Sequence, residues 1–229
     1  MPWLGGAAQR DDAQTGADRI CRSLLSRDVP RGSREAIFQD EQDRGRFLST
    51  LEETVRRTGW RVHAYVLMSN HYHLLVETPL PNLMRGMTWS QTTYTVRYNA
   101  RHRLSDHLFA GRYKALLVDA ESEGYLVTLL NYIHLNPVRA GLVKPGAGKS
   151  LEGYRWSSLP GYGWPGRRPD WLVVEHGLAA LQWKDTASDR RAFLYYVDNL
   201  ARGEMAEGAG QEGSATRWSG LRAKMERGW

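Results

Sequence analysis

Thiols are almost missing from this chain: Cys21 is the one cysteine among 229 residues. An internal disulfide is therefore excluded, and nothing points to an oxidising compartment. Long apolar runs are missing too. No stretch reaches the roughly 18 residues that a membrane-spanning helix needs, and no signal-peptide core follows the start. The expectation is a cytoplasmic protein of bacterial type with no membrane partner. The length suits one domain of ordinary size plus an extension.

Positive charge is in excess. Lys and Arg number 31 against 25 Asp and Glu, a formal net charge of +6, with a pI near 9.5. That balance favours a polyanionic partner. The 9 Trp and 11 Tyr sharpen the point, because flat rings stack on unpaired bases while guanidinium groups hold phosphates.

The chemistry centres on Asn70-His71-Tyr72-His73-Leu74-Leu75-Val76-Glu77. Side chains alternate along a strand, so His71 and His73 share one face while Tyr72, Leu74 and Val76 share the other. Two imidazoles side by side can hold one metal ion while the opposite face packs into a core. Glu77 shares the histidine face but lies too far along the strand to ligate the same ion. Tyr72 reads as packing, and His63 and His134 read as structural or solvated.

Residues 1–33 carry no useful period and read as a poorly ordered, loosely attached segment. Asp40-Glu41 can open a helix striped by Phe47, Leu48, Leu51 and Val55 and ending near Gly59. Trp60 to Leu67 alternates, with Val62, Ala64 and Val66 on one face and Arg61, His63 and Tyr65 on the other. The His71 strand returns antiparallel. A second helix is expected over Asn82 to Asn99, and a buried strand over Ala115 to Val118. A third helix runs through Tyr125, Leu126, Leu129, Leu130 and Ile133 and is limited by Pro137. Beyond it, the region 146–200 is a basic and aromatic extension with short helices over Trp171 to Trp183 and Arg190 to Leu200. Residues 201–229 read as a flexible tail.

The third helix carries Tyr132 and Asn136, one turn apart on one face. A metal held by His71 and His73 can take the Asn136 amide oxygen as third ligand, and Tyr132 would reach the phosphate beside it. A phenol ionises near pH about 10, so it needs a cation that draws charge from the phosphate and stabilises the leaving oxygen. Attack on phosphorus then gives a covalent phosphotyrosine and frees a 3′ hydroxyl. The phosphoester count is unchanged, so the strand can be rejoined. Asn136 has a second reading as a helix C-terminal cap. Tyr94, Tyr98 and Tyr113 lack an amide partner at the same spacing beside a proline.

Three motifs carry a resemblance to a known family. Leu67-Met68-Ser69-Asn70-His71-Tyr72-His73-Leu74-Leu75-Val76 resembles the histidine–hydrophobe–histidine motif of IS200-like single-tyrosine transposases, especially the REP-associated tyrosine transposases. Gly111-Arg112-Tyr113-Lys114 and Tyr132-Ile133-His134-Leu135-Asn136-Pro137-Val138-Arg139-Ala140-Gly141-Leu142 resemble the same group. The resemblance implies an α/β (α+β) fold, a ferredoxin-like antiparallel sheet with helices packed on it, over a catalytic core at 34–145 with a C-terminal helical extension. It implies Mg²⁺ or Mn²⁺ as cofactor, although imidazoles by themselves suit zinc at least as well. The implied partner is single-stranded DNA with a hairpin, either REP-like or at an insertion end, cleaved with a 5′-phosphotyrosine link. Relatives include monomers and homodimers, and the protein would associate with the nucleoid when bound to DNA.

By position, His71, His73 and Asn136 correspond to the metal ligands and Tyr132 to the nucleophile. Arg112, Tyr113, Lys114, Arg139, Arg167 and Arg168 are the DNA-binding candidates. For Arg112 and Lys114 a solvated loop is an equal alternative, and for the aromatic patch of the extension packing is another. One departure stands out: members of the group open with a strand where this chain has Ile20 to Arg31. A reading-frame shift upstream of about Ser33 accounts for it and would leave the sheet without its first strand. A catalytically impaired nucleic-acid-binding module of the same fold, or a hydrolase whose metal activates water, are the competing functions.

Overall fold

The structure is a computed structural model and describes residues 21–27, 36–105, 107–109, 113–118, 123–145 and 150–208. Helix α1 (Glu41–Thr58) begins where the Asp40 carboxylate accepts the Asp43 amide at 3.0 Å, satisfying a donor with no partner inside the helix. It stops at Gly59, whose φ of 71° is left-handed and suits a residue without Cβ. Strand β2 (Arg61–Leu67) then pairs antiparallel with β3 (Tyr72–Thr78), setting Leu67 opposite Tyr72 and Arg61 opposite Glu77. The pairing slips between Val62 and Ala64. The slip makes His63 the extra residue of a bulge and breaks the alternation expected over this strand.

Helix α2 (Leu83–His102) follows, running further than Asn99, and leads to β4 (Lys114–Val118). Strand β1 (Cys21–Arg27) lies between β3 and β4, antiparallel to both. The resulting order β2-β3-β1-β4 is the expected ferredoxin-like sheet. Helices α1 and α2 cover the Tyr72 face: the rings of Phe47 and Tyr72 are 4.7 Å apart, and those of Phe47 and Tyr94 are 5.2 Å apart. Tyr72 is thus packing, as its face predicts. Helix α3 (Glu123–Arg139) covers the histidine face.

Three expectations are corrected. The segment 1–33 is not loose throughout, because Cys21–Arg27 is an interior strand hydrogen-bonded on both sides; the sheet does not lack that strand. Pro137 does not end α3. It stands in the last turn, where a missing N–H removes a single bond. The stop is Gly141 at φ 69°, after the Asn136 carbonyl accepts the Ala140 amide and the Pro137 carbonyl accepts the Leu142 amide, both at 2.9 Å. Nor is the chain frayed from Arg202: helix α6 (Ala187–Gly208) continues past it, with Ala201 and Glu204 buried. Residues 209–229 lie outside the described set.

The extension docks on the outer edge of β2. The Leu67 amide donates to the Trp156 carbonyl at 2.8 Å, Ser158 to Tyr65 at 2.9 Å and Val173 to Val62 at 2.9 Å. An edge that would otherwise recruit foreign strands is covered. Short helices α4 (Leu159–Gly163) and α5 (Glu175–Ala179) follow. The Tyr162 ring then stacks on Phe193 of α6 at 4.7 Å, with His134 of α3 at 5.2 Å from Tyr162. Extension and core therefore share one interior. Among the described residues no helix is long and apolar enough to cross a membrane.

Asp43 ties α1 to α2. Fully buried, it accepts from the Gln39 amide at 2.9 Å, His102 Nε2 at 3.0 Å and Arg101 Nη1 at 2.6 Å. Burial pushes its carboxyl up, but those bonds outweigh burial and hold it below its ordinary 3.8. A depressed carboxyl stabilises the fold above the unfolded value, and that contribution is lost as pH falls through the folded one. Asp43→Asn should therefore lower unfolding free energy by about 3 kcal/mol near neutrality. It should also flatten the decline in stability below pH 3.8, which urea titrations at several pH values would measure.

Candidate active site

Because β3 begins at Tyr72, His71 sits at its mouth and His73 one pleat inside, on the same face. Their ring centres are 5.1 Å apart. Two imidazoles sharing an ion at about 2.1 Å per nitrogen hold their rings roughly 5 Å apart. The half-buried His71 places Nδ1 2.8 Å from Asn70 Oδ1. An amide oxygen only accepts, so Nδ1 carries the hydrogen and Nε2 keeps a lone pair. His73 is 3% exposed, and its buried Nδ1 has no hydrogen-bond partner. Burial first, then the charges of His71 and Arg139, push its pKa well below 6.5. A neutral ring with an unsatisfied nitrogen is the form that ligates metal.

Helix α3 brings Tyr132 to this pair. Its ring lies 5.3 Å from that of His73, edge-on at 77°. The Asn136 amide donates from Nδ2 to the Tyr132 carbonyl at 2.8 Å, which leaves Oδ1 as the outward-bonding atom of that side chain. This is not the C-terminal cap of the alternative reading, since α3 continues past it. The Arg139 guanidinium stands 5.2 Å from the Tyr132 ring centre and donates to the Tyr132 carbonyl at 3.3 Å. Its Nε and Nη2 grip Glu204 of α6 at 2.9 and 2.6 Å. Asn131 adds a second tie to α6 through the Tyr196 hydroxyl at 2.6 Å.

The expected DNA contacts fare unevenly. Arg112 lies outside the described residues. Tyr113 and Lys114 are half-buried, and Tyr113 packs against the core, where burial raises its phenol. Arg139 is engaged by Glu204, and Arg168 by Asp185 at 2.7 and 3.0 Å and by the Gly161 carbonyl at 2.9 Å. Arg167 stays exposed, over the Trp164 ring at 5.2 Å. Tyr94 and Tyr98 are buried in the core, their hydroxyls donating to the Ile37 and Ala36 carbonyls.

A second group of ligating side chains escaped the sequence reading. His63, Glu77 and His176 place one ligand atom each within 4.8 Å of the others, so this group can hold a metal ion. His63 and His134 are both fully buried, and neither is solvated.

The sheet order, with the histidine pair laid on it, defines a ferredoxin-like α+β fold. The family described as "Transposase IS200 like" matches residues 30–136, so over that span the chain is similar to an IS200-like transposase domain. A solved structure of a REP-associated tyrosine transposase bound to a REP hairpin is similar, with a TM-score of 0.50 and 14% identity. The similarity covers 67% of this chain and 85% of that one. No curated protein matches the chain.

Proposed function

We propose that this protein nicks and rejoins single-stranded DNA beside a hairpin, with Tyr132 as nucleophile and a divalent ion, Mg²⁺ or Mn²⁺, held by His71, His73 and Asn136. The observation that carries the reading is the meeting of three rings from two distant segments: 5.1 Å from His71 to His73 and 5.3 Å from His73 to Tyr132. The unpartnered His73 nitrogen supports a ligand role.

When bound, the ion supplies positive charge against the scissile phosphate and its leaving oxygen. Tyr132 Oη attacks phosphorus, forming a tyrosyl phosphoester as the bond to the 3′ oxygen breaks. The phenol proton passes to solvent, and the leaving 3′ oxygen takes one up as a hydroxyl. Reversal by a 3′ hydroxyl restores the DNA and the phenol, so no external energy source is needed. Arg139, fixed by Glu204, sets the position of the tyrosine ring. Exposed Arg167 and the Tyr113–Lys114 segment are the surfaces proposed to meet phosphate.

Incubating the full chain with a labelled hairpin-bearing oligonucleotide and Mn²⁺ should leave the label on the protein after denaturation. Salt-dependent binding with no retained label would assign a binding module instead. Cleaved product with no retained label would assign a hydrolase.

A further inference from the structure

Glu77 is fully buried on β3, four residues beyond His73 and about 13 Å along the strand at 3.3 Å per residue. It is not part of the Tyr132 site. The bulge in β2 turns His63 onto it, with Nε2 3.1 Å from Oε2. Arg61 takes the other oxygen at 2.7 Å. From the extension, His176 of α5 brings Nδ1 to 3.5 Å from the same Oε2, and the two imidazole rings lie 5.2 Å apart.

The far side of His63 fixes its chemistry. Nδ1 lies 3.3 Å from the Val173 carbonyl, which can only accept, so Nδ1 carries a hydrogen. With that hydrogen placed, a singly protonated ring presents the Nε2 lone pair to the carboxylate oxygen. A second imidazole nitrogen converges on that oxygen from α5. A second proton on His63 would answer its contact with Glu77 but not the approach of His176 Nδ1 to the same oxygen, whereas a cation between the three answers all of them. A histidine that ligates metal through one nitrogen commonly donates to a backbone carbonyl through the other, and His63 has this arrangement with Val173.

We propose that His63, Glu77 and His176 form a second metal site, separate from the Tyr132 centre, that takes Zn²⁺. Three ligands at about 2.0–2.1 Å in tetrahedral geometry stand about 3.3 Å from one another, and the two spacings to Glu77 Oε2 bracket that value at 3.1 and 3.5 Å. Two imidazoles and one carboxylate are a zinc donor set. His176 is 41% exposed, and water is the fourth ligand that a three-residue zinc donor set takes. The bound ion would pin α5 to β2 and β3, locking the extension to the sheet.

The test uses the full chain, stripped of metal and titrated with Zn²⁺ against a chromophoric chelator. The wild type and a His71→Ala/His73→Ala variant should both retain a tight zinc site. His176→Ala should weaken it by at least about a hundredfold, and the half-exposed position spares the fold. Cobalt in place of zinc should give a tetrahedral visible spectrum in the wild type and the double variant alone. Zinc affinity in His176→Ala within about tenfold of wild type, or a tight site lost with His71 and His73, would overturn the assignment. So would the absence of tight zinc binding in the wild type. None of these readings depends on DNA cleavage, so failure of the nicking proposal would be seen separately.

Discussion

Tyr132→Phe is expected to abolish the covalent DNA adduct, lowering its rate of formation by at least about a thousandfold. The substitution removes one oxygen and nothing else. The ring keeps its edge contact with His73 at 5.3 Å and its place beneath Arg139 at 5.2 Å, so hairpin binding and the thermal midpoint should hold. Two core tyrosines cannot take over. Tyr94 and Tyr162 are completely buried, and each donates its hydroxyl to a backbone carbonyl, at 2.7 and 2.9 Å. Retained label in the phenylalanine variant would therefore end the assignment of the nucleophile, and a drop in hairpin affinity would show that the phenol also serves binding.

The second large effect concerns the metal. Chelation should stop cleavage by the wild type, and added Mn²⁺ should restore it. His71→Ala should reduce cleavage at least about a hundredfold at limiting metal, with partial recovery as Mn²⁺ rises. His71 is the better position to change, since it is half-buried at the strand mouth, whereas His73 is enclosed. The pH response separates the two. Burial keeps the folded pKa of His73 well below 6.5, so in the proposed site this ring would bind metal without releasing a proton near neutrality and stay available as pH falls through 6.5. Acid inhibition in that range should then persist in His73 variants that still bind metal, because it arises at another group. Rates measured against both pH and Mn²⁺ would resolve this.

Sequence patterns reveal the parts of this protein that are local. His71 and His73 share a face by strand alternation, Tyr132 and Asn136 share a helical turn, and Asp40 and Gly59 mark the ends of α1 by capping chemistry. What stays hidden is set by distant segments. Cys21–Arg27 carries adjacent leucines with no alternation, yet becomes a strand because β3 and β4 each offer it a ladder of backbone bonds. Arg139 reads as a phosphate contact until Glu204, 65 residues away, is seen to hold it. The His63–Glu77–His176 group joins two strands and the extension through a bulge that no spacing announces. Pro137 misleads for a different reason: a proline stops a helix in mid-course but is tolerated in its closing turn.

The double attachment of α3 to α6, through Asn131–Tyr196 and Arg139–Glu204, bears on how a substrate must arrive. Under the proposed mechanism, a nucleophile on a helix moored at its middle and its C-terminal end cannot swing out to meet an incoming phosphate. The distortion then falls on the nucleic acid, whose backbone must bend until its phosphorus lies in line with the waiting oxygen. A flexible unpaired strand beside a hairpin meets that demand far more readily than a stiff duplex does.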